Sequence, residues 1–426
     1  MAHATVRAGP ALVAAFALRP LESAGVAVPA EAELTVEKLI YGGQGLARME
    51  GRVVLVPFVL PGERVRVTLE AEKPGLVEAS LAEVLEPAAG RTDPPCPFFY
   101  RCGGCQYQHM TYETQLEQKR AILREVIRRI AKIEPPEIGA VPSEPWGYRN
   151  RTQLHLDGSR IGYFGFGTHQ LVDIDRCPIS SPMINQAIAA LRDMMRDQRF
   201  PRFLRSVELF TNETDLQLNV LESMQPPARR FFDWCAGRIP GFAPDAISYP
   251  AGEFTCRVRR RSFFQVNRFL IGEMVSRALE RAEGSSALDL YAGVGLFSLP
   301  LARRFGEVTA VEASASAAGD LEFNARAAGL DVNVRQQRAE EYLLSLERVP
   351  DFVLADPPRA GLGRHAVREL LRLRPPLVTI VSCDPATLAR DLGLLVPGGY
   401  AVEQLTLMDL FPQTLHIETV ARLRAR

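Results

Sequence analysis

The 426-residue sequence predicts an α/β protein in which a C-terminal doubly wound, mostly parallel sheet follows a small central α+β region and an N-terminal OB-like β-barrel. Three observations predict it. From residue 286 onward, buried strand-like runs alternate with glycine turns and helical stretches, as in "SALDLYAGVGLFSLPLARRF", "EVTAVEAS", "DFVLADPPRAG" and "PPLVTIVSCDP". From Glu33 to about Glu86 the runs "ELTVEKLIY", "RVVLVPFVL", "ERVRVTLEA" and "LVEASLAEVLE" are short, alternating or β-branched, and broken by "GGQG", "PGE" and "KPG". Between the two, residues 91–110 gather three of the seven cysteines, and a helical stretch and short strands follow.

A chain of this length exceeds one ordinary hydrophobic core. The expected divisions are a loosely ordered leader at 1–32, the barrel at 33–90, the central region at 91–260 and the catalytic domain at 261–426. Fifty Lys and Arg balance fifty Asp and Glu, so an anionic partner would have to be met by local basic patches. An odd number of dispersed cysteines makes a poor disulfide framework and suits a reducing, cytoplasmic compartment. The uncharged stretch Ala8–Leu18 is too short to cross a bilayer, and no membrane association is expected. The bland reading of the first segment is any small β-domain.

Within 91–260, "TYETQLEQKRAILREVIRRIAKI" (111–133) has helical spacing, with Leu116, Ile122, Leu123, Val126, Ile127 and Ile130 on one side. Arg120, Arg124, Arg128, Arg129 and Lys132 fill the remainder, as a solvated face or an RNA contact. The same two readings apply to the basic runs "YRNR" (148–151) and "RVRRR" (257–261). Helix 111–133 is expected to pack on the catalytic domain.

The cluster "CPFFYRCGGC" supplies Cys96, Cys102 and Cys105, three thiolates that need a fourth ligand. Cys177 in "DIDRCPIS" is the best fourth, whereas Cys235 and Cys256 read as core. A metal centre is predicted. Iron–sulfur is favoured over zinc because zinc sites usually show two tight C-x2-4-C pairs.

In the catalytic domain, the turn "DLYAGVG" follows a strand and opens a helix, so Gly293 and Gly295 let backbone approach a nucleotide-like ligand. Glu312, ending the next strand, can accept hydrogen bonds from ribose hydroxyls. Ser298 stands where a dinucleotide fingerprint would have its third glycine, which favours S-adenosylmethionine over a dinucleotide. Asp356 in "ADPPRAG" sits at the carboxyl edge of the fourth strand, where it can present an acceptor to a planar nitrogenous substrate. Cys383 in "IVSCDPATLARDL" ends another strand facing the same crevice. Alone it reads as packing, but Glu418, in the final strand-like run, offers a base for covalent addition followed by proton removal.

Together these residues resemble the RNA uridine C5-methyltransferases, most closely those acting on 23S rRNA. The likeness runs from about residue 33 to the C-terminus through "GGQGLAR…VPFVLPGERV", "CPFFYRCGGCQYQHM", "FFQVN", "DLYAGVGLFS", "ADPPRAG", "SCDPATLARDL" and "DLFPQTLHIE". The resemblance implies a Rossmann-like methyltransferase domain, an RNA-binding TRAM barrel, and a [4Fe-4S] cluster on Cys96, Cys102, Cys105 and Cys177. It implies Cys383 as nucleophile and Glu418 as base, with Gln265, Tyr291, Gly293, Leu296, Glu312 and Asp356 lining the pocket. Two departures stand out: Ala292 where many relatives carry cysteine, and Arg338 near a position that usually offers Asp or Asn to adenine. Structured RNA is the expected partner, 23S rRNA ahead of tRNA, and the chain is expected to act as a monomer. The competing classes are an amino-group methyltransferase built on Asp356-Pro-Pro and a non-catalytic RNA-binding iron–sulfur protein.

Overall fold

The computed structural model describes residues 30–426, so the leader expected at 1–32 lies outside the described residues except at its end. There the boundary needs correction, because the first strand already begins at Glu31. The described residues form two compact units that divide between Arg91 and Thr92.

The first unit contains strands β1 (Glu31–Thr35), β2 (Lys38–Leu39), β3 (Gln44–Met49), β4 (Arg52–Pro57), β5 (Arg64–Lys73) and β6 (Leu76–Glu86). They form one sheet in the order β1-β5-β6-β4-β3-β2. After β1 the chain bends across the sheet: Val36 N donates to Glu63 O at 2.9 Å and Glu37 N to Leu46 O at 2.8 Å, which draws the two ends of the sheet together. Alternation of Val54 and Val56, and of Val65 and Val67, turns every second side chain into the enclosed core. Strand β3 was hidden in the sequence because Gly45, read as part of a separator, is a packing position. A Cβ there would come within 2.3 Å of Val59 Cγ2.

The second unit continues with α1 (Tyr112–Val126), β7 (Ile138–Val141), β8 (Arg151–Asp157), β9 (Arg160–Phe164), β10 (Leu171–Asp173), α2 (Pro182–Met194), β11 (Leu204–Thr211), β12 (Leu216–Ser223), α3 (Arg229–Ala236), β13 (Ala246–Ala251) and β14 (Phe254–Arg259). A five-stranded sheet, β10-β9-β8-β11-β12, carries the central α+β core with Ile184, Ile188 and Leu191 of α2 and Phe231 and Cys235 of α3. Cys235 and Cys256 are buried core residues, as expected.

The remaining elements are α4 (Ile271–Ala278), β15 (Ser286–Leu290), α5 (Ser298–Ala302), β16 (Glu307–Val311), α6 (Ala315–Ala327), β17 (Asn333–Arg335), α7 (Ala339–Ser345), β18 (Phe352–Ala355), α8 (Gly363–Leu373), β19 (Leu377–Ser382), α9 (Pro385–Leu395), β20 (Tyr400–Met408) and β21 (Glu418–Ala425). They build an eight-stranded sheet ordered β17-β16-β15-β18-β19-β21-β20-β7. Pairing is parallel from β17 to β19, and β21 runs antiparallel to both β19 and β20. The strand order reverses between β15 and β18, the topological switch point where such sheets bind ligands.

Two domain boundaries shift. Strand β7 pairs parallel with β20, and α1 packs against α9 as expected of helix 111–133, so residues 112–141 join the catalytic sheet although they lie within the expected central region. The β13–β14 hairpin buries Ile247, Tyr249, Phe254 and Val258 in the catalytic core, which moves that domain's start upstream of 261. Helix α1 places Ile122, Leu123 and Ile127 inward, but Ile130 is exposed. The reason is local: the last turn, Ile127–Ala131, is a π-helix, which changes the angular step and rotates Ile130 off the apolar stripe.

The basic runs are also corrected. Arg257 and Arg259 both donate to the buried Asp320 of α6, at 3.0 and 2.7 Å, and Arg257 stacks over Phe323. In "YRNR", Tyr148 and Asn150 are fully buried and Arg151 donates to Ser262 O at 2.8 Å. Most of these guanidinium groups are drawn inward by nearby acceptors, and Arg261 is the exposed member of the second run. No helix among the described residues is long and apolar enough to cross a membrane.

Candidate functional site

Strand β19, "LVTIVS", is buried along its whole length, and the chain leaves it into α9. The exit is sharp because Asp384 caps the helix, accepting from Ala386 N and Thr387 N at 2.9 Å each, and Pro385 supplies a preset φ at the first helical position. Cys383 is therefore held, half-buried, between a rigid strand end and a capped helix. The antiparallel register pairs Ser382 with Thr419, so Cys383 and Glu418 lie at the same end of neighbouring strands.

Asp356 follows β18 directly, and its N–H donates to Leu290 O of β15 at 3.3 Å, fixing it at the switch point. Gln265 reaches it from the segment before α4, donating Nε2 to Asp356 Oδ2 at 3.2 Å. Cys383, Glu418, Asp356 and Gln265 are thereby brought together.

The electrostatics of this group are those of a crowded, dry, acidic pocket. Burial pushes the Asp356 carboxyl up to about 7, against the opposing hydrogen bond from Gln265. Burial, reinforced by the Asp356 charge, raises Glu418 well above the carboxylate range. The Cys383 thiol is pushed up to about 11 by burial and then by Glu418 and Asp356, while Arg359 acts in the opposite direction. Charge on any of these groups disfavours charge on the others.

At the neighbouring turn, Tyr291 and Gly293 have left-handed φ of 61° and 57°, and Gly295 has 97°. A Cβ on Gly293 would meet no protein atom within 4 Å, whereas one on Gly295 would press on Leu321 Cγ at 3.1 Å. Gly293 thus faces open space, and Gly295 lets α6 approach. Glu312 Oε2 accepts from Gly293 N at 2.9 Å and Oε1 from Ser314 N at 2.7 Å, leaving each oxygen a further lone pair for ribose hydroxyls. Leu296 packs in the hydrophobic core beside this turn. Arg338 precedes α7 and pairs with Glu340 at 3.6 Å.

Two site groups escaped sequence reasoning. Asp289 is fully buried, with Oδ2 accepting from Ser298 Oγ at 2.5 Å and Oδ1 unpartnered, and burial pushes it up to about 7. Its signal was an acidic residue inside the otherwise apolar run "SALDL". His416 lies two residues before Glu418, and burial, with Arg359, Arg149 and Lys119 nearby, pushes it down to about 4, leaving a neutral imidazole at neutral pH.

Cys96, Cys102, Cys105 and Cys177 line a single cavity together with Arg149 and Arg176. All four are unpaired, and among the described residues no three His, Cys, Asp or Glu side chains converge as ligands of one metal ion. Four thiols around one cavity supply a donor set of the kind that either a [4Fe-4S] cluster or a structural zinc takes.

Comparison with known proteins is consistent along the chain. A family model described as tRNA (Uracil-5-)-methyltransferase matches residues 245–426, and a TRAM domain model matches residues 28–82. An uncharacterized RNA methyltransferase of Aquifex aeolicus is 34% identical, over 92% of this chain and 98% of its own. The 23S rRNA (uracil(1939)-C(5))-methyltransferase of Pectobacterium atrosepticum is 35% identical, over 93% of this chain and 94% of its own. Among solved structures, the Pyrococcus abyssi tRNA (uracil-54, C5)-methyltransferase in complex with S-adenosyl-L-homocysteine aligns with a TM-score of 0.71 at 27% identity, covering 92% of this chain and 99% of that one.

Proposed function

Because the chain belongs to the RNA (uracil-C5)-methyltransferase family, an S-adenosylmethionine-dependent class, we propose that it methylates a uridine of 23S rRNA with Cys383 as nucleophile and Glu418 as base. The observation that carries this reading is the meeting of Cys383 and Glu418 at adjoining strand ends, beside Asp356 and Gln265.

Uracil C5 is a weak carbon nucleophile. Addition of the Cys383 thiolate, its proton lost to solvent beforehand, to C6 forms the S–C6 bond, breaks the C5–C6 double bond and places negative charge on C5 and the neighbouring carbonyl. Bound S-adenosylmethionine supplies the methyl group, on a cationic sulfonium that an acidic pocket favours. Glu418 then takes the C5 proton, its electron pair restores the C5–C6 bond, and Cys383 departs as thiolate. Asp356 and Gln265 hold the uracil edge. Gly293 and Glu312 hold the donor's nucleoside, with Tyr291 beside them. The backbone of Leu296 shapes the same turn. A base in folded RNA must first be unstacked, which suits a chain carrying a TRAM unit.

The rRNA assignment rests on the rRNA-modifying relative at 35% identity, against 27% for the tRNA-modifying one. The [4Fe-4S] cluster would be held by Cys96, Cys102, Cys105 and Cys177 and would fold the cysteine segment, since no step of the substitution consumes or releases electrons. Iron and sulfide analysis of anaerobically purified protein tests this, and a single zinc per chain would sink it. Free cysteines and an RNA substrate support a reducing, cytoplasmic setting.

Incubation with rRNA carrying 5-fluorouridine tests the mechanism. With no C5 proton to remove, a denaturant-stable adduct at Cys383 accumulates, and Cys383→Ala abolishes both adduct and methylation. Methylation by Cys383→Ala protein would overturn the mechanism, and equal turnover of tRNA and rRNA transcripts would overturn the substrate assignment.

A further inference from the structure

The segment joining β20 to β21, residues 409–417, leads directly into Glu418 and is tied down along much of its length. Lys119 Nζ donates to Phe411 O at 2.9 Å, Tyr148 hydroxyl to Pro412 O at 3.0 Å, and Asn267 Nδ2 to Leu410 O at 3.1 Å. At its centre, Gln413 adopts a left-handed φ of 69°, a conformation that costs a residue with a Cβ and persists only where its surroundings enforce it.

The enforcement is a clasp of three buried glutamines. Gln115, on α1, is fully buried and makes a reciprocal pair with Gln413: its Oε1 accepts from Gln413 N at 2.9 Å, and its Nε2 donates to Gln413 Oε1 at 2.9 Å. Gln413 O in turn accepts from both Gln106 N and Tyr107 N, at 3.0 Å each. Gln106 Oε1 then accepts from Leu415 N at 3.3 Å. Both backbone polar groups of Gln413 and its side-chain oxygen are satisfied from outside the segment, and Gln106 adjoins Cys105. Such a network is far more than a connecting loop requires for stability, and it lies five residues from the proposed base.

We propose that Gln413, clasped by Gln115 and Gln106, is a positioning residue that sets Glu418 for proton removal. The proposal rests on the reading of Glu418 as base. Addition of Cys383 and methyl transfer use groups outside the β20–β21 segment and do not need the clasp. Elimination needs the Glu418 carboxylate aimed at the C5 proton, and a misplacement of about 1 Å costs on the order of a hundredfold.

The test uses unmodified uridine RNA, on which the wild-type adduct does not persist. Gln115→Met is compared with Glu418→Gln for methyl incorporation into protein-bound RNA, for product release, and for thermal stability. Gln413→Gly, which relaxes the backbone while removing the side chain, is the companion variant should Gln115→Met fold poorly. Expected is a denaturant-stable, already methylated adduct in both clasp variants, with release slowed about ten- to a hundredfold while methyl transfer proceeds. Glu418→Gln accumulating adduct while the folded clasp variants do not, or a parallel fall of methyl transfer and release in them, would overturn the clasp. Failure of Glu418→Gln itself to accumulate adduct would overturn the base assignment, and the clasp with it.

Discussion

Three acidic side chains share one dry crevice, and their protons have a measurable consequence. Asp289 and Asp356 are each held up to about 7 by burial, and burial with the Asp356 charge also raises Glu418 well above its ordinary value. A carboxyl with a raised pKa keeps its proton below that value, and a cationic ligand draws the proton off by favouring the ionised form. Affinity for S-adenosylmethionine therefore rises as pH increases from 6 to 8, by up to about tenfold per proton released per pH unit. S-adenosylhomocysteine, which lacks the sulfonium charge, shows a shallower rise, and calorimetry at several pH values compares the two. Parallel slopes would show that the sulfonium does not face these carboxyls. At this scale the groups of the proposed reaction, Cys383, Asp356 and Glu418, were legible in sequence because each stands at or beside a strand terminus. Asp289 and Lys119 were not: Asp289 lies inside an apolar run, and nothing in the sequence sets Lys119, fully buried against Asp409 at 2.7 Å, apart from the basic residues around it.

Among elements, the β13–β14 hairpin is fastened to α6 through one carboxylate. Asp320, with no exposure, accepts from the Nε groups of Arg257 and Arg259, from Arg259 N at 2.9 Å, and from Ser262 Oγ at 2.8 Å. Asp320→Ala leaves two guanidinium groups half-buried without their anion and costs about 2–4 kcal/mol, read from denaturant midpoints. A loss below about 0.5 kcal/mol would mean that the pair is solvated rather than structural. The sequence showed five clustered residues rich in arginine but not the acid that claims them, because Asp320 is some sixty positions away and inside a helix pattern. Strand β3 and the π-helical turn were invisible for a related reason. A glycine needed for close packing resembles a loop, and a one-residue change in helical phase leaves no mark on composition.

At the level of the whole molecule, barrel, central region and catalytic sheet all follow the alternation visible in sequence. What the sequence divided wrongly was the ownership of segments, since contact between positions near 140 and 405 has no local signature. Strand β7, contributed from far upstream, pairs along β20 with Ile138 opposite Leu405 and Val141 opposite Met408. A fragment cut at residue 245, where the catalytic family match begins, would retain seven of the sheet's eight strands, yet would leave β20 without its neighbour. A naked row of amide and carbonyl groups beside Leu405 and Leu407 invites intermolecular strand pairing. Such a fragment is expected to aggregate on expression, whereas residues 92–426 remain dispersed, as light scattering would distinguish. Strand β7, four residues between Pro136 and Pro142, replaces the nine-residue edge of β20 with a short one, a guard against self-association made before most of the sheet it protects has left the ribosome.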